Sequence, residues 1–262
     1  MMKNLPVGLS RWLPIASVLL TVACDRSTSE STAPADVPAI QVPAADAITD
    51  EELVDKFHQH WYDDNTKTWA LNKWFGIQTL QNPMDVWITQ EIIFETKPDV
   101  IVECGAFHGG SAALWATILE QLNPEGRVIS IDIEDNLDEA RKLSIVQRKV
   151  DFIIGSSTAP EVIADVKKRS EGKKVMVILD SDHRKPHVLR ELQLYSPMIP
   201  VGGYIIVQDT NVNGHPAKPD FGPGPWEAVE EFMQNNKNFI IDKSRERLKL
   251  TFNPSGFLKR VR

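Results

Sequence analysis

The sequence predicts an α/β fold: a Rossmann-like, seven-stranded, mostly parallel sheet with an antiparallel last strand and a small N-terminal helical cap. Three observations predict it. From residue 99 onward, short apolar runs alternate with stretches of helical spacing, the pattern of strands joined by crossover helices. A glycine-rich turn, Gly105-Ala-Phe-His-Gly109-Gly110-Ser111, follows the first of these runs. Four runs end in an acid, at Glu103, Asp132, Asp180 and Asp209; open parallel sheets bind ligands at that end.

Met1 to Ala23 joins Lys3 and Arg11 to an apolar run, Trp12 to Leu20, and closes on Thr21-Val22-Ala23-Cys24. A basic start, a short apolar core and a small residue before the cut describe a secretory signal. The run is too short for a membrane span of about 20 apolar residues. Cys24 after Ala23 resembles a bacterial lipobox, although Thr21 stands where leucine is usual. The expectation is a lipoprotein signal over 1–23, a lipid anchor at Cys24 and a periplasmic or extracytoplasmic domain. Residues 24–47, rich in Ser, Thr, Ala, Pro and Asp, read as a flexible tether.

Residues 48–98 read as the cap. Leu53, Val54, Phe57 and Trp61 share a helical face over 50–62, with Thr49 as N-cap. An aromatic segment from Trp69 to Ile77 follows, then a second helix over 84–96. The Rossmann-like domain is expected over 99–262. Its strands fall near 99–104, 127–132, 150–155, 174–180, 203–208, 239–242 and 256–260. Its helices fall near 109–122, 136–143, 160–169, 186–198 and 225–236. No helix separates the last two strands, so the final one is expected to run antiparallel.

Composition narrows the function classes. A chain of 262 residues with 42% hydrophobic content can bury one sizeable α/β core. Its net charge of −7 leaves no basic footprint for nucleic acid. Two cysteines do not make a disulfide framework, and Cys104 reads as a small buried hydrophobe. The first βαβ unit combines a glycine turn, a helix N-terminus and an acid after the second strand. Backbone N–H groups there meet a ligand, and the acid meets ribose hydroxyls, so a nucleoside-type cofactor is expected.

Taken together, Lys97-Pro98-Asp99 through Ser111, Leu179-Asp180-Ser181-Asp182-His183, Gln208-Asp209-Thr210-Asn211, Asn213-Gly214-His215-Pro216, Gly222-Pro-Gly-Pro-Trp226 and the closing Thr251 to Arg260 resemble the cephalosporin hydroxylase / rhamnosyl O-methyltransferase family. That family has the class I S-adenosylmethionine-dependent methyltransferase fold. The resemblance covers Trp69 to the C-terminus and implies transfer of a methyl group to a hydroxyl of a sugar, glycolipid or small molecule.

The resemblance also implies roles. Glu103 and the loop residues Gly105, Ala106, Phe107, His108, Gly109, Gly110 and Ser111 would hold the methionine part of S-adenosylmethionine. Asp132 would meet its ribose, or else cap the next helix, and Ser156 or Ser157 would approach the adenine. Asp180, Asp182, Gln208 and Asp209 would hold Mg²⁺, a hard ion suited to oxygen ligands. Gln208 departs from the acid in the family pattern. His183 is the first candidate for general base and His215 the second, because histidine exchanges protons near neutral pH. Trp226 is a candidate wall of the acceptor pocket. The expected partners are the acceptor, the membrane through the lipid anchor, and further copies of the chain in a homo-oligomer.

Site and address disagree, because S-adenosylmethionine is made in the cytosol and an exported domain meets little of it. The alternative is therefore a non-catalytic ligand-binding lipoprotein with a methyltransferase-like fold.

Overall fold

A computed structural model describes residues 48–63 and 67–262; the expected signal, anchor and tether lie outside the described residues. Helix α1 (Asp50–Asp63) opens on a reciprocal cap. Glu52 N donates to Thr49 Oγ1 at 3.2 Å, and Thr49 N donates to Glu52 Oε2 at 2.9 Å, which satisfies two amides left open at a helix start. A short hairpin pairs Lys73–Trp74 with Ile77–Gln78. Helix α2 (Pro83–Thr96) starts at a proline, whose missing N–H costs nothing there, and Asn82 accepts from Met84 N at 3.0 Å.

The main sheet holds β1 (Val100–Cys104), β2 (Arg127–Asp132), β3 (Val150–Ile154), β4 (Val175–Leu179), β5 (Tyr204–Val207), β6 (Phe239–Ile241) and β7 (Phe257–Arg260). Their spatial order is β3-β2-β1-β4-β5-β7-β6. The first five run parallel, and β7 lies between β5 and β6, antiparallel to both. Strand alternation sends Val100, Val102, Cys104, Val175, Val177 and Leu179 to one face, under α5 (Pro160–Arg169), α6 (Lys185–Tyr195) and α7 (Pro225–Asn235). Ile101, Met176 and Ile178 go to the other, under α2, α3 (Gly110–Leu122) and α4 (Ser144–Lys149). Both faces are covered, which is why the strands read as unbroken apolar runs.

Two expected helices differ. In place of one over 136–143, a 3₁₀ turn (Ala140–Lys142) is followed by α4, with Leu143 extended between them. Leu137 and Ala140 are fully buried and pack under Gly109, so the chain follows the contour of the glycine loop. The helix expected over 186–198 stops at Tyr195 and ends in a 3₁₀ turn, Ser196–Met198. Pro197 lacks the N–H that the next helical turn needs.

Candidate active site

Strand order reverses between β1 and β4, so the chains leaving their carboxyl ends part to opposite sides and leave a crevice. A cavity of about 630 Å³ occupies it, between the loop after β1 and residues 180–184 after β4. Gly105 makes this approach possible. Its φ is +98°, and a Cβ there would stand 2.0 Å from the Asp180 carbonyl oxygen. Gly110, first residue of α3, has Thr79 Oγ1 2.2 Å from where a Cβ would stand. Among the described residues no side chain caps the first turn of α3, so its N–H groups keep their anion-binding capacity.

Gly105, Ala106, Phe107, Ser111, Asp132 and Ser156 line the cavity. Asp132 also braces the loop. Its Oδ2 accepts from Ala106 N at 2.9 Å and Phe107 N at 2.7 Å, and its Oδ1 accepts from Glu134 N at 3.0 Å. His108 and Gly109 are not on the cavity wall, nor is Gly110. His108 Nδ1 is 3.3 Å from the Asn136 carbonyl on the exposed side of the loop.

Glu103 lies beneath the loop rather than in the cavity. Alternation turns it to the α3 side, where it is fully buried and accepts from Trp115 Nε1 at 2.9 Å and Ser130 Oγ at 2.5 Å. Burial pushes its carboxyl up to about 7, against hydrogen bonds from Ser130, Ser111 and Trp115. The folded chain then keeps a proton that the unfolded chain releases near the ordinary value of 4.5. Glu103 therefore makes stability fall as pH rises from about 4.5 to about 7. Glu103→Gln is expected to flatten part of that slope, read as melting temperature against pH. Asp85, also pushed up to about 7 by burial, and Asp180, raised by burial as well, add to the slope in the same sense.

At the other wall Asp180, His183 and Asp209 converge, with one ligand-type atom from each within 4.8 Å of the others. His183 Nε2 is 3.4 Å from Asp209 Oδ2. Burial and the Asp209 carboxylate push the Asp180 carboxyl well above the usual carboxylate range. Each aspartate has one oxygen engaged: Gln81 Nε2 donates to Asp180 Oδ2 and Tyr62 OH donates to Asp209 Oδ1, both at 3.0 Å. Such partners orient carboxylates at metal sites.

The remaining expected residues are not gathered there. Asp182 lines the cavity, but its Oδ1 accepts from Arg184 N at 3.1 Å. Gln208 is 5% exposed and off the wall; its amide pairs with that of Gln81 at 2.8 Å. Turned so that its nitrogen faces the carboxylate, it donates to Asp180 Oδ2 at 2.6 Å. His215 also lies off the cavity: its Nε2 is 3.1 Å from Glu227 Oε1, and its ring stacks on Trp226 at 4.3 Å. His215 sits in the loop before α7 and Trp226 in its first turn, and Trp226 is likewise absent from the wall.

Several cavity residues carry no motif. Tyr62 comes from α1, and Trp69 stacks on it at 5.2 Å. Gln81 stands just before α2. His187 joins the wall from α6, backed by buried Glu191 and Tyr195. Only the last group left a readable signal, polar residues at i, i+4 and i+8 on the inward stripe of a helix.

The family model described as Rhamnosyl O-methyltransferase/CmcI matches residues 66–261. The chain is similar to the rhamnosyl O-methyltransferase of Mycobacterium leprae (strain TN), 35% identical over 215 residues, 80% of this chain and 91% of that one. It is similar to the protein of that name from Mycobacterium tuberculosis (strain ATCC 25618 / H37Rv), 35% identical over 216 residues, 80% of this chain and 86% of that one. A solved structure of CmcI with Mg and SAM has a TM-score of 0.57 at 17% identity, covering 74% of this chain and 78% of that one. This likeness shows the fold.

Proposed function

The chain belongs to the rhamnosyl O-methyltransferase/CmcI family, and on that premise we propose that it transfers a methyl group from S-adenosylmethionine to a hydroxyl of a sugar, glycolipid or small molecule. The observation that carries the reading is the convergence of the glycine loop and the Asp180–His183–Asp209 cluster on one cavity.

The residues fit both groups. For the nucleoside, Gly105 keeps the loop clear of any Cβ, Asp132 stands at the end of β2, and α3 offers uncapped N–H groups for the carboxylate of the amino-acid part. For magnesium, Asp180 and Asp209 each keep an oxygen not taken by Gln81 or Tyr62, and hard oxygen donors suit that ion. When bound, S-adenosylmethionine supplies the electrophilic methyl group and magnesium a positive charge that makes the acceptor hydroxyl more acidic. His183 Nε2 takes the hydroxyl proton, and the Asp209 carboxylate beside it steadies the imidazolium that results. Tyr62, Trp69 and Leu80 form the apolar side of the acceptor end and limit water there.

Two measurements test this reading. Calorimetry is expected to give micromolar-range binding of S-adenosylhomocysteine. Incubation with methyl-labelled S-adenosylmethionine and methyl α-L-rhamnoside is expected to label the sugar, less so with a chelator and again after Mg²⁺ is added. A folded protein that binds no S-adenosylhomocysteine would falsify the reading.

Asp132→Asn is expected to weaken S-adenosylhomocysteine binding about tenfold, because a neutral amide oxygen holds two loop N–H groups less strongly than a carboxylate. Unchanged affinity would remove Asp132 from the cofactor end.

A further inference from the structure

We propose that His187 reads the purine of the nucleoside, its free Nδ1 edge meeting a ring nitrogen while Ser157 and Glu191 fix the ring from behind. This rests on the cavity being the S-adenosylmethionine site. His187 lines the cavity beside Gly155, Ser156 and Ser157, which follow β3 next to Asp132 at the end of β2. A nucleoside with its ribose at Asp132 brings its base to this corner.

The ring is anchored by one nitrogen only. His187 Nε2 is 3.1 Å from Ser157 Oγ and 3.3 Å from Glu191 Oε1. Ser157 gives its own proton to Glu191, with Oγ–Oε1 at 2.5 Å, so its oxygen is left to accept and Nε2 must donate. Among the described residues Nδ1 has no hydrogen-bond partner and is not sealed from solvent. Glu191, first, and Asp182, further off, raise the pKa of the ring against the effect of burial. The free Nδ1 edge is therefore the polar group the ring keeps for a ligand, its charged form is favoured by the carboxylates, and adenine ring nitrogens are acceptors.

The anchor is built, not incidental. Glu191 is fully buried and also accepts from Ser181 Oγ at 2.7 Å. Among the described residues its Oε2 has no partner, a costly arrangement for a buried carboxylate. Tyr195, one turn further along α6, donates to the Ser157 carbonyl at 2.8 Å. One stripe of α6 thus fixes the side chain and backbone of the β3 loop together with the ring.

The same trio has the composition of a hydrolytic Ser–His–acid set, but not its geometry. In a relay, serine and carboxylate meet opposite ring nitrogens; here both meet Nε2, and the serine proton already lies toward the carboxylate.

The test is calorimetry of S-adenosylhomocysteine and its 1-deaza, 3-deaza and 7-deaza analogues on the wild-type chain and on His187→Ala. The wild type is expected to bind one deaza analogue about tenfold more weakly than the parent. His187→Ala is expected to bind the parent about tenfold more weakly and to treat that analogue and the parent alike. Glu191→Gln, which keeps the packing, is expected to reduce the discrimination. A variant at His187 that keeps the wild-type discrimination overturns the proposal, as does a wild type that binds all three analogues like the parent. A wild type that binds no S-adenosylhomocysteine overturns the cofactor reading and this proposal with it.

Discussion

Asp209→Asn is expected to lower methyl transfer by about two to four orders of magnitude while S-adenosylhomocysteine affinity stays within about twofold. Asp209 is the residue on which three elements of the site meet. It stands just past β5 at φ +52°, a conformation held by its N–H donating to Asn253 Oδ1 at 3.2 Å. There Oδ1 takes the Tyr62 hydroxyl at 3.0 Å and Oδ2 faces His183 at 3.4 Å. An amide keeps the shape but removes the charge that steadies His183 and half of the carboxylate pair. The cofactor end is on the other wall, so binding there should not follow. Single-turnover transfer and calorimetry, run side by side, separate the two. Wild-type transfer rates in the variant would take Asp209 out of the reaction.

Gly105→Ala is expected to cost on the order of 3 kcal/mol of stability or more, about 6–12 °C in melting temperature for a domain of this size, and to abolish S-adenosylhomocysteine binding. Two effects add. A side chain at φ +98° is strained in itself, and its Cβ would stand 2.0 Å from Asp180 O and 2.6 Å from Asp180 C. Relief requires moving backbone, either the loop or the start of the segment after β4, and both walls of the cavity depend on that contact. A variant that melts like the wild type and binds normally would mean that the crevice tolerates widening.

Strand positions were legible because helices cover both faces of the central strands, so β4 and β5 are apolar along their length, and an acid marks the end of β2 and of β4. The segment after β2 was not, because Leu137 and Ala140 at helical spacing also satisfy an irregular path under the glycine loop. The cluster of Asp180, His183 and Asp209 could be read from its position after adjacent strands. Glu103 and Gln208 stand in the same motifs yet leave the cavity wall, since a motif states sequence order while side-chain direction follows the two-residue period of the strand. That period was available: Val102 and Cys104 face α5 and α6, so Glu103 had to face α3. Tyr62 could not be read at all, because its contact with Asp209 spans 147 residues and no local pattern encodes it.

The place of β7 has a consequence for biosynthesis. During translation β5 and β6 emerge well before residues 257–260, and β6 pairs with no other strand of the sheet. Until residues 257–260 leave the ribosome, β5 presents an open edge and β6 has nothing to add to. Unpaired edges template association between chains. The nascent chain therefore carries two unpaired strand edges until β7 arrives, and a frameshift or nick ahead of residue 257 removes the pairing of two strands rather than one.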